Sequence, residues 1–380
     1  MASLVLTEVV GGLGVITLNR PRALNALSLQ MVRELDAALT AWAGDAQVHG
    51  VLLRGAGRVD EQGQPQGAVH FCAGGDIRFM HEAAIAGDLA IDDFFTEEYA
   101  LDHLIHTYAK PIVAWMEGIT MGGGMGLAQG ADLRVVTEAV RMAMPETRIG
   151  LFPDVAGGYF LSRCPGAAGE YLGVVGPHLN ASDALALGLA DVPAQATSLR
   201  ALLDSFKAQP LASSADLVPR VKAHAQAHGP AEMPAETLRP HMSEISRHFS
   251  LPTMVEIEAS LRAQAKADAQ DGSEWAQGVL QQMAGHSPLM MCVTLEQIRR
   301  ARSMTLAQVF RMERDIVRNC FALRKGRDSE TVEGVRALVI DKDHAPRWRH
   351  ATLVEVAPAE VDAFFHSPWP AHRHPLRDLA

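Results

Sequence analysis

The chain opens on two short β-rich runs, residues 4–10 and 15–19, around Gly11-Gly12-Leu13-Gly14, and that spacing predicts a hairpin. Pro21 stops the second run. From Ser28 the apolar positions Met31, Leu35, Leu39 and Trp42 recur at helical spacing. Val51-Leu52-Leu53-Arg54 reads as a short buried strand, followed by a polar, Gly-rich loop over 55–69. Residues 71–77 return to strand and turn at Gly74-Gly75-Asp76. Residues 92–109 carry a helical pattern that ends before Lys110-Pro111, and 112–116 is again strand. A glycine triplet, Gly122-Gly123-Gly124, comes next, with helix expected from Leu127. Residues 133–137 and 142–144 are further short apolar strands. Strand, turn and helix in repetition predict an α/β layout with ligands at strand ends.

Near residue 195 the character changes. Residues 199–325 are helically patterned, punctuated by seven prolines from Pro210 to Pro288, and have almost no β-branched runs. A last strand-like piece, Ala337-Leu338-Val339-Ile340, precedes a Pro- and His-rich tail. This divides the chain into an α/β core over 1–200 and a mostly helical region over 201–380, joined somewhere in 205–240.

Composition narrows the partners. Of the 380 residues, 48% are hydrophobic and 21% charged, which is the make-up of an ordinary globular protein and excludes general disorder. A net charge of −10 argues against nucleic acid or an anionic membrane as the main partner. Cys72, Cys164, Cys292 and Cys320 form no C-x-x-C, which suits free thiols in a reducing compartment, with no zinc site. No run approaches the ~18 apolar residues of a spanning helix. The first residues have neither a basic region nor Arg-rich transit character, so the cytoplasm is the expected compartment.

Ala73-Gly74-Gly75-Asp76 and Gly122-Gly123-Gly124 each follow a short apolar strand. Two backbone N–H groups converging from such turns would form an oxyanion hole, with each donor worth on the order of 3–4 kcal/mol. Plain tight turns are an equal alternative. Glu146 lies among apolar residues, as a partly buried acid or base would, although a rim carboxylate is the simpler account. Asp154 follows Pro153 and suits a helix N-cap. Glu97 and Glu98 sit on an expected helix, where either can face solvent. His81 lacks a second histidine at zinc spacing, and His103 with His106 lacks a third ligand. There is no G-x-S-x-G elbow, P-loop or dinucleotide fingerprint.

Four pieces together resemble the crotonase (enoyl-CoA hydratase/isomerase) superfamily: residues 19–27 (Asn-Arg-Pro-Arg-Ala-Leu-Asn-Ala-Leu), residues 71–77, Lys110-Pro111 and the turn over 118–126. The likeness covers roughly residues 3–195 and keeps the family's order. It implies a spiral of ββα units that binds a coenzyme A thioester. The N–H groups of Gly75 and Gly123 would stabilise the oxyanion. Backbone around Ala23, Leu24, Asp76 and Ile77 would hold the adenine, with Arg22 at a phosphate and Ala73 also against the coenzyme A. Coenzyme A is then part of the substrate, with no separate cofactor and no metal, and homo-oligomers are expected from the family's habit.

A hydratase of this family carries two glutamates. The second aligns with Glu146, and the first would fall at Gly126, which has no side chain to serve. Residues 94–99, 144–155, 333–337 and 340–343 instead resemble the 3-hydroxyisobutyryl-CoA hydrolase branch. That resemblance implies thioester hydrolysis, with Glu146 attacking the carbonyl or activating water, with Asp154 and Glu98 holding the substrate's hydroxyl, and with Asp154 also sharing in proton transfer as a catalytic residue. An isomerase or hydratase of the same superfamily, and a non-catalytic acyl-CoA-binding protein, are the alternatives. The loop over 57–69 is longer than the family's, and 205–285 matches none of its motifs.

Overall fold

The computed structural model describes residues 3–60, 62, 64–266 and 273–380. Positions 1, 2, 61, 63 and 267–272, the first four of which touch the expected first strand and the 55–69 loop, lie outside the described residues. The chain packs as two compact units. One is built from Met1–Gly75, Ala100–Ala143 and His178–Thr237, the other from Asp76–Tyr99, Met144–Pro177 and Leu238–Ala380. Each unit thus draws on three stretches of chain, where composition suggested two consecutive blocks.

The first unit holds a six-stranded sheet whose strands lie in chain order: Val5–Val10, Leu13–Leu18, Gly50–Gly55, Ile112–Met116, Leu133–Thr137 and Val192–Ala194. The first pair is the expected antiparallel hairpin, with Val10 opposite Leu13. Every later neighbour is parallel. A parallel strand covered on both faces must be apolar throughout, and all five residues of Ile112–Met116 are buried. A second, smaller sheet pairs Ile119–Met121 with Arg141–Ala143, and Cys72 bridges to Thr120. Two successive passes of the chain each add one strand to the large sheet and a short one to the small sheet, Ile112–Met116 with Ile119–Met121 and Leu133–Thr137 with Arg141–Ala143, which is the repeat of a ββα spiral. Ser28 starts the helix Leu29–Ala43 by accepting the Met31 N–H, and Met31, Leu35 and Leu39 are buried as their spacing predicts. Trp115, Leu133 and Val135 of the sheet pack with Leu202, Phe206, Leu217 and Val221. The long loop after Gly55 is tied by a two-residue ladder, Arg58–Val59 against Pro65–Gln66.

The second unit is helical among its described residues. Its aromatic cluster joins Phe94, Phe95 and Tyr99 to Phe310 and Phe321. The expected strand at 337–340 is a helical continuation: Arg336–Ile340 extends Glu330–Val335 in wide, π-type turns. Two side chains explain this. Ser329 nucleates the helix by accepting the Val332 N–H, and Arg336 holds the far end by pairing with Glu333, Asp341 and Asp343. The β-branched run is carried along by its flanks. Among the described residues no helix is long and apolar enough to cross a membrane.

Candidate active site

In the first unit the two glycine turns meet. Gly74 has φ +102, and a Cβ built on it would lie 3.3 Å from Met121 O and 3.6 Å from Gly123 N. The Met121 N–H donates to Cys72 O over 3.0 Å. The helix Gly123–Gln129 starts earlier than the Leu127 expected, because Gly122, at φ +48, turns its carbonyl to accept the N–H groups of Met125 and Gly126. Glycine's low helix propensity had hidden that first turn. As the first residue of the helix, Gly123 has an N–H with no intrahelical acceptor.

The segment over 20–27 lies against the same turns. Ala73 N–H donates to Leu24 O at 3.1 Å, Leu27 N–H donates to Gly74 O at 2.8 Å, and Leu27 bridges to Gly75. Leu24 and Asn25 both adopt left-handed backbone, at φ +53 and +57. Buried Asn25 fixes that bend by accepting the Arg20 N–H and donating to Ala56 O and His70 O. The structure therefore brings Leu24, Ala73, Gly74, Gly75 and Gly123 together through backbone contacts, with Ala23 one residue before them in the turn Pro21–Ala23. Arg22 is exposed on the turn Pro21–Ala23. Asp76 and Ile77 belong to the second unit, where Asp76 caps the helix Ile77–Ala86 by accepting the Phe79 N–H.

The second unit gathers the carboxylates. Of the pair on the helix Ala90–His106, Glu98 is the inward one at 2% exposure, and Glu97 is half-buried. Glu146 and Asp154 are each 6% exposed. Glu146 opens a tight turn, Glu146–Ile149, that is gripped from both sides. Thr147 Oγ1 donates to Val174 O and lies 3.0 Å from His286 Nδ1, and the Thr331 hydroxyl donates to Gly150 O. Glu146 Oε2 is buried and has no hydrogen-bond partner among the described residues.

Asp154 is not the N-cap expected for the following helix. Gly157–Leu161 is preceded by Ala156, and Asp154 contributes only its carbonyl, to Gly157 N–H. Its side chain instead accepts the Tyr99 hydroxyl at 2.8 Å. The next two residues, Val155 and Ala156, stand at φ +54 and +66. Left-handed backbone costs a non-glycine residue roughly 1–2 kcal/mol, and a β-branched one is a clear outlier there. Glu313, on the helix Leu306–Ala322, accepts the N–H groups of Ala156 and Gly158, each at 2.8 Å.

Burial dominates the electrostatics. It pushes Asp154 from 3.8 up to about 6, against the pull of the Tyr99 hydrogen bond. Burial, then the charge on Asp154, hold Glu146 well above the usual carboxyl range. Burial also lifts Glu313 to about 8, although its N–H donors oppose the shift. The two buried carboxyls are therefore both pushed toward their neutral forms, and for Glu146 the charge on Asp154 adds to the effect of burial.

A linkage effect follows. With a native value above its unfolded one, Asp154 gives the folded state more bound protons between about pH 4 and 6, so its contribution to stability falls as pH rises through that window. Relative to Asp154→Asn, the wild type is expected to lose on the order of 3 kcal/mol between about pH 4 and pH 7. Urea melts of both proteins across that range measure it. A difference that does not change with pH would show that Asp154 ionises as freely as an exposed carboxyl.

Sequence reasoning missed Tyr99, Glu313 and Gln297 as site residues. For Glu313 a signal existed: it lies on the apolar stripe of Val309, Phe310, Ile316 and Val317, where a charge needs a partner.

Comparison with known proteins agrees with this architecture. The family model described as enoyl-CoA hydratase/isomerase matches residues 13–365. The 3-hydroxyisobutyryl-CoA hydrolase, mitochondrial, of Danio rerio is 41% identical over 96% of this chain and 89% of its own length. The human protein of that name is 37% identical over 96% and 88%. Among solved structures, a carnitinyl-CoA dehydratase from Mycobacterium thermoresistibile superimposes with a TM-score of 0.82 at 34% identity, covering 99% of both chains. An enoyl-CoA hydratase from Rhodobacter sphaeroides gives 0.80 at 35%, covering 96% of this chain and 98% of its own. The relatives' names place those proteins in mitochondria, which leaves the expected cytoplasmic location without support. The match runs through the glycine turns, the carboxylate segments and the helical region alike, and the chain belongs to the enoyl-CoA hydratase/isomerase family.

Proposed function

We propose that this protein is an acyl-CoA thioester hydrolase that converts 3-hydroxyisobutyryl-CoA to 3-hydroxyisobutyrate and coenzyme A. The observation that carries the reading is the pair Glu146 and Asp154, both buried and both raised above the ordinary carboxyl range by that burial, with Glu146 Oε2 unpartnered among the described residues. The names of relatives that match nearly the whole chain support it. In this reading the N–H groups of Gly75 and Gly123 receive the thioester oxygen. Glu146 as the carboxylate either attacks the carbonyl, so that the C–S bond breaks and an anhydride forms that water then hydrolyses, or takes a proton from the water that attacks the carbonyl as the C–S bond breaks. In both routes the coenzyme A thiolate picks up a proton and leaves as the free thiol. Asp154 and Glu98 hold the 3-hydroxyl, and Asp154 shares in proton transfer. Arg22, Ala23, Leu24, Ala73, Asp76 and Ile77 hold the coenzyme A portion, which enters as part of the substrate.

The two full-length solved neighbours carry hydratase and dehydratase titles, which makes addition of water to a double bond the second reading. Gly126 disfavours it, because it stands where a hydratase carries its first glutamate and has no side chain to move a proton. The test is direct. Purified protein given 3-hydroxyisobutyryl-CoA should release free thiol, followed with a thiol reagent. Unsubstituted isobutyryl-CoA should be cleaved at least ~100-fold less efficiently, since a site built around a hydroxyl rejects analogues lacking it. Loss of crotonyl-CoA absorbance without thiol release would replace the proposal with the hydratase.

A further inference from the structure

We infer that Glu313, together with Gln297, is a positioning residue that fixes Asp154 and thereby sets the preference for a hydroxylated acyl group. The role assigned to Asp154 rests on the function proposed above. The clamp itself rests on geometry within one unit.

Three backbone groups flanking Asp154 are held by two buried side chains. On its amino side, Pro153 O accepts the Gln297 Nε2–H at 2.7 Å. On its carboxyl side, Ala156 N–H donates to Glu313 Oε2 and Gly158 N–H to Glu313 Oε1. The two side chains are themselves joined, Gln297 Nε2 donating to Glu313 Oε1 at 2.9 Å. Both are 0% exposed. Between these anchor points the chain takes two consecutive left-handed, non-glycine residues, Val155 and Ala156. Such backbone persists only where its surroundings over-determine it. Gly158 leaves no slack either: a Cβ there would lie 3.1 Å from Glu313 Oε1 and 3.2 Å from Gln297 Nε2. Glu313 also shares its helix with Phe310, whose ring packs 6.0 Å from Tyr99, the donor to Asp154. One helix thus steadies both the backbone and the hydrogen-bond partner of Asp154.

A carboxyl group is the side chain that suits this place. It accepts on both oxygens, whereas glutamine would turn an –NH2 toward one of three N–H donors. Glu313→Gln keeps the volume and removes the match. It should release the amides of Ala156 and Gly158, and hydrogen exchange read by mass spectrometry over 154–161 should quicken at least ~10-fold relative to the rest of the unit. In steady-state assays the ratio of kcat/KM for 3-hydroxyisobutyryl-CoA to that for isobutyryl-CoA should fall by ~10-fold or more, the isobutyryl value falling by less. That ratio does not depend on how much of the protein is folded, so a merely structural role leaves it alone. Gln297→Leu, which spares Glu313, should move both readouts the same way but less, and it serves if Glu313→Gln does not fold. In an Asp154→Asn background neither substitution should lower the ratio further.

Unchanged exchange over 154–161 in both variants would overturn the clamp whatever the activity proves to be. Quickened exchange with both substrates falling in parallel, or an equal loss of the ratio in the Asp154→Asn background, would overturn the assignment to specificity. If the wild type released no thiol, the function proposed above would fail, and the exchange experiment would still decide the clamp.

Discussion

Glu146→Gln is expected to lower thiol release from 3-hydroxyisobutyryl-CoA by roughly 10³–10⁴-fold while leaving the protein folded. The substitution is nearly isosteric. Because burial favours the neutral form of Glu146, a neutral amide also suits its surroundings. Thermal melting should therefore stay within a few degrees of wild type, or rise, since no buried charge remains to be formed. Loss of activity with unchanged stability separates a chemical role from a scaffolding one. In the wild type, the acid limb of kcat/KM should lie well above the ordinary carboxyl range, because Glu146 must lose its proton to act. A variant that keeps its rate within tenfold would remove Glu146 from the reaction.

The second large effect belongs to backbone. Gly124→Ala would set a Cβ 2.3 Å from Cys72 O and 2.9 Å from Cys72 Cβ. No rotamer relieves contact with a carbonyl, and Cys72 O is already engaged by Met121 N–H. One of the two glycine turns must move. The expected result is a destabilisation of about 1–3 kcal/mol together with a ~100-fold fall in kcat, as the N–H of neighbouring Gly123 swings from its aim. Urea melts and steady-state rates on one preparation measure both. A stable variant with the full rate would show that the oxyanion does not depend on this turn.

How much of this could be read from sequence depended on the reach of the interaction. The hairpin, the helix from Ser28 and the apolar strands are set by neighbours a few residues apart, and the pattern found them. The glycine turns were legible as turns, but their approach through Cys72, Thr120 and Gly123 needs a fold to bring them together. Residues 337–340 were misread because β-branched composition says strand while the decisive groups, Ser329 and Arg336, lie outside the run. Asp154 looked like a cap because Asp after Pro so often is one, and nothing local announces Tyr99 as its partner. Periodicity leaves Glu97 and Glu98 equal; the family resemblance names Glu98, and tertiary packing buries it. The resemblance to a family supplied the roles of Glu146 and Asp154, and physical reasoning from the residues alone had left those roles open.

The interleaving of the two units along the chain has a consequence for how the protein is made. The sheet of the first unit is complete once residue 194 has emerged, but Arg314 meets its partner Thr96 across a separation of 218 residues. At ~5–20 residues per second, synthesis of that interval takes roughly 10–40 s. Throughout it the segment bearing Phe94, Phe95 and Tyr99 waits without Phe310 and Phe321, an apolar stretch that folding helpers would have to shield. Glu313 emerges one residue before Arg314, so the nascent chain owns its sheet long before Asp154 is secured. A ribosome that stalls short of residue 313 leaves a protein with its scaffold begun and its chemistry unassembled.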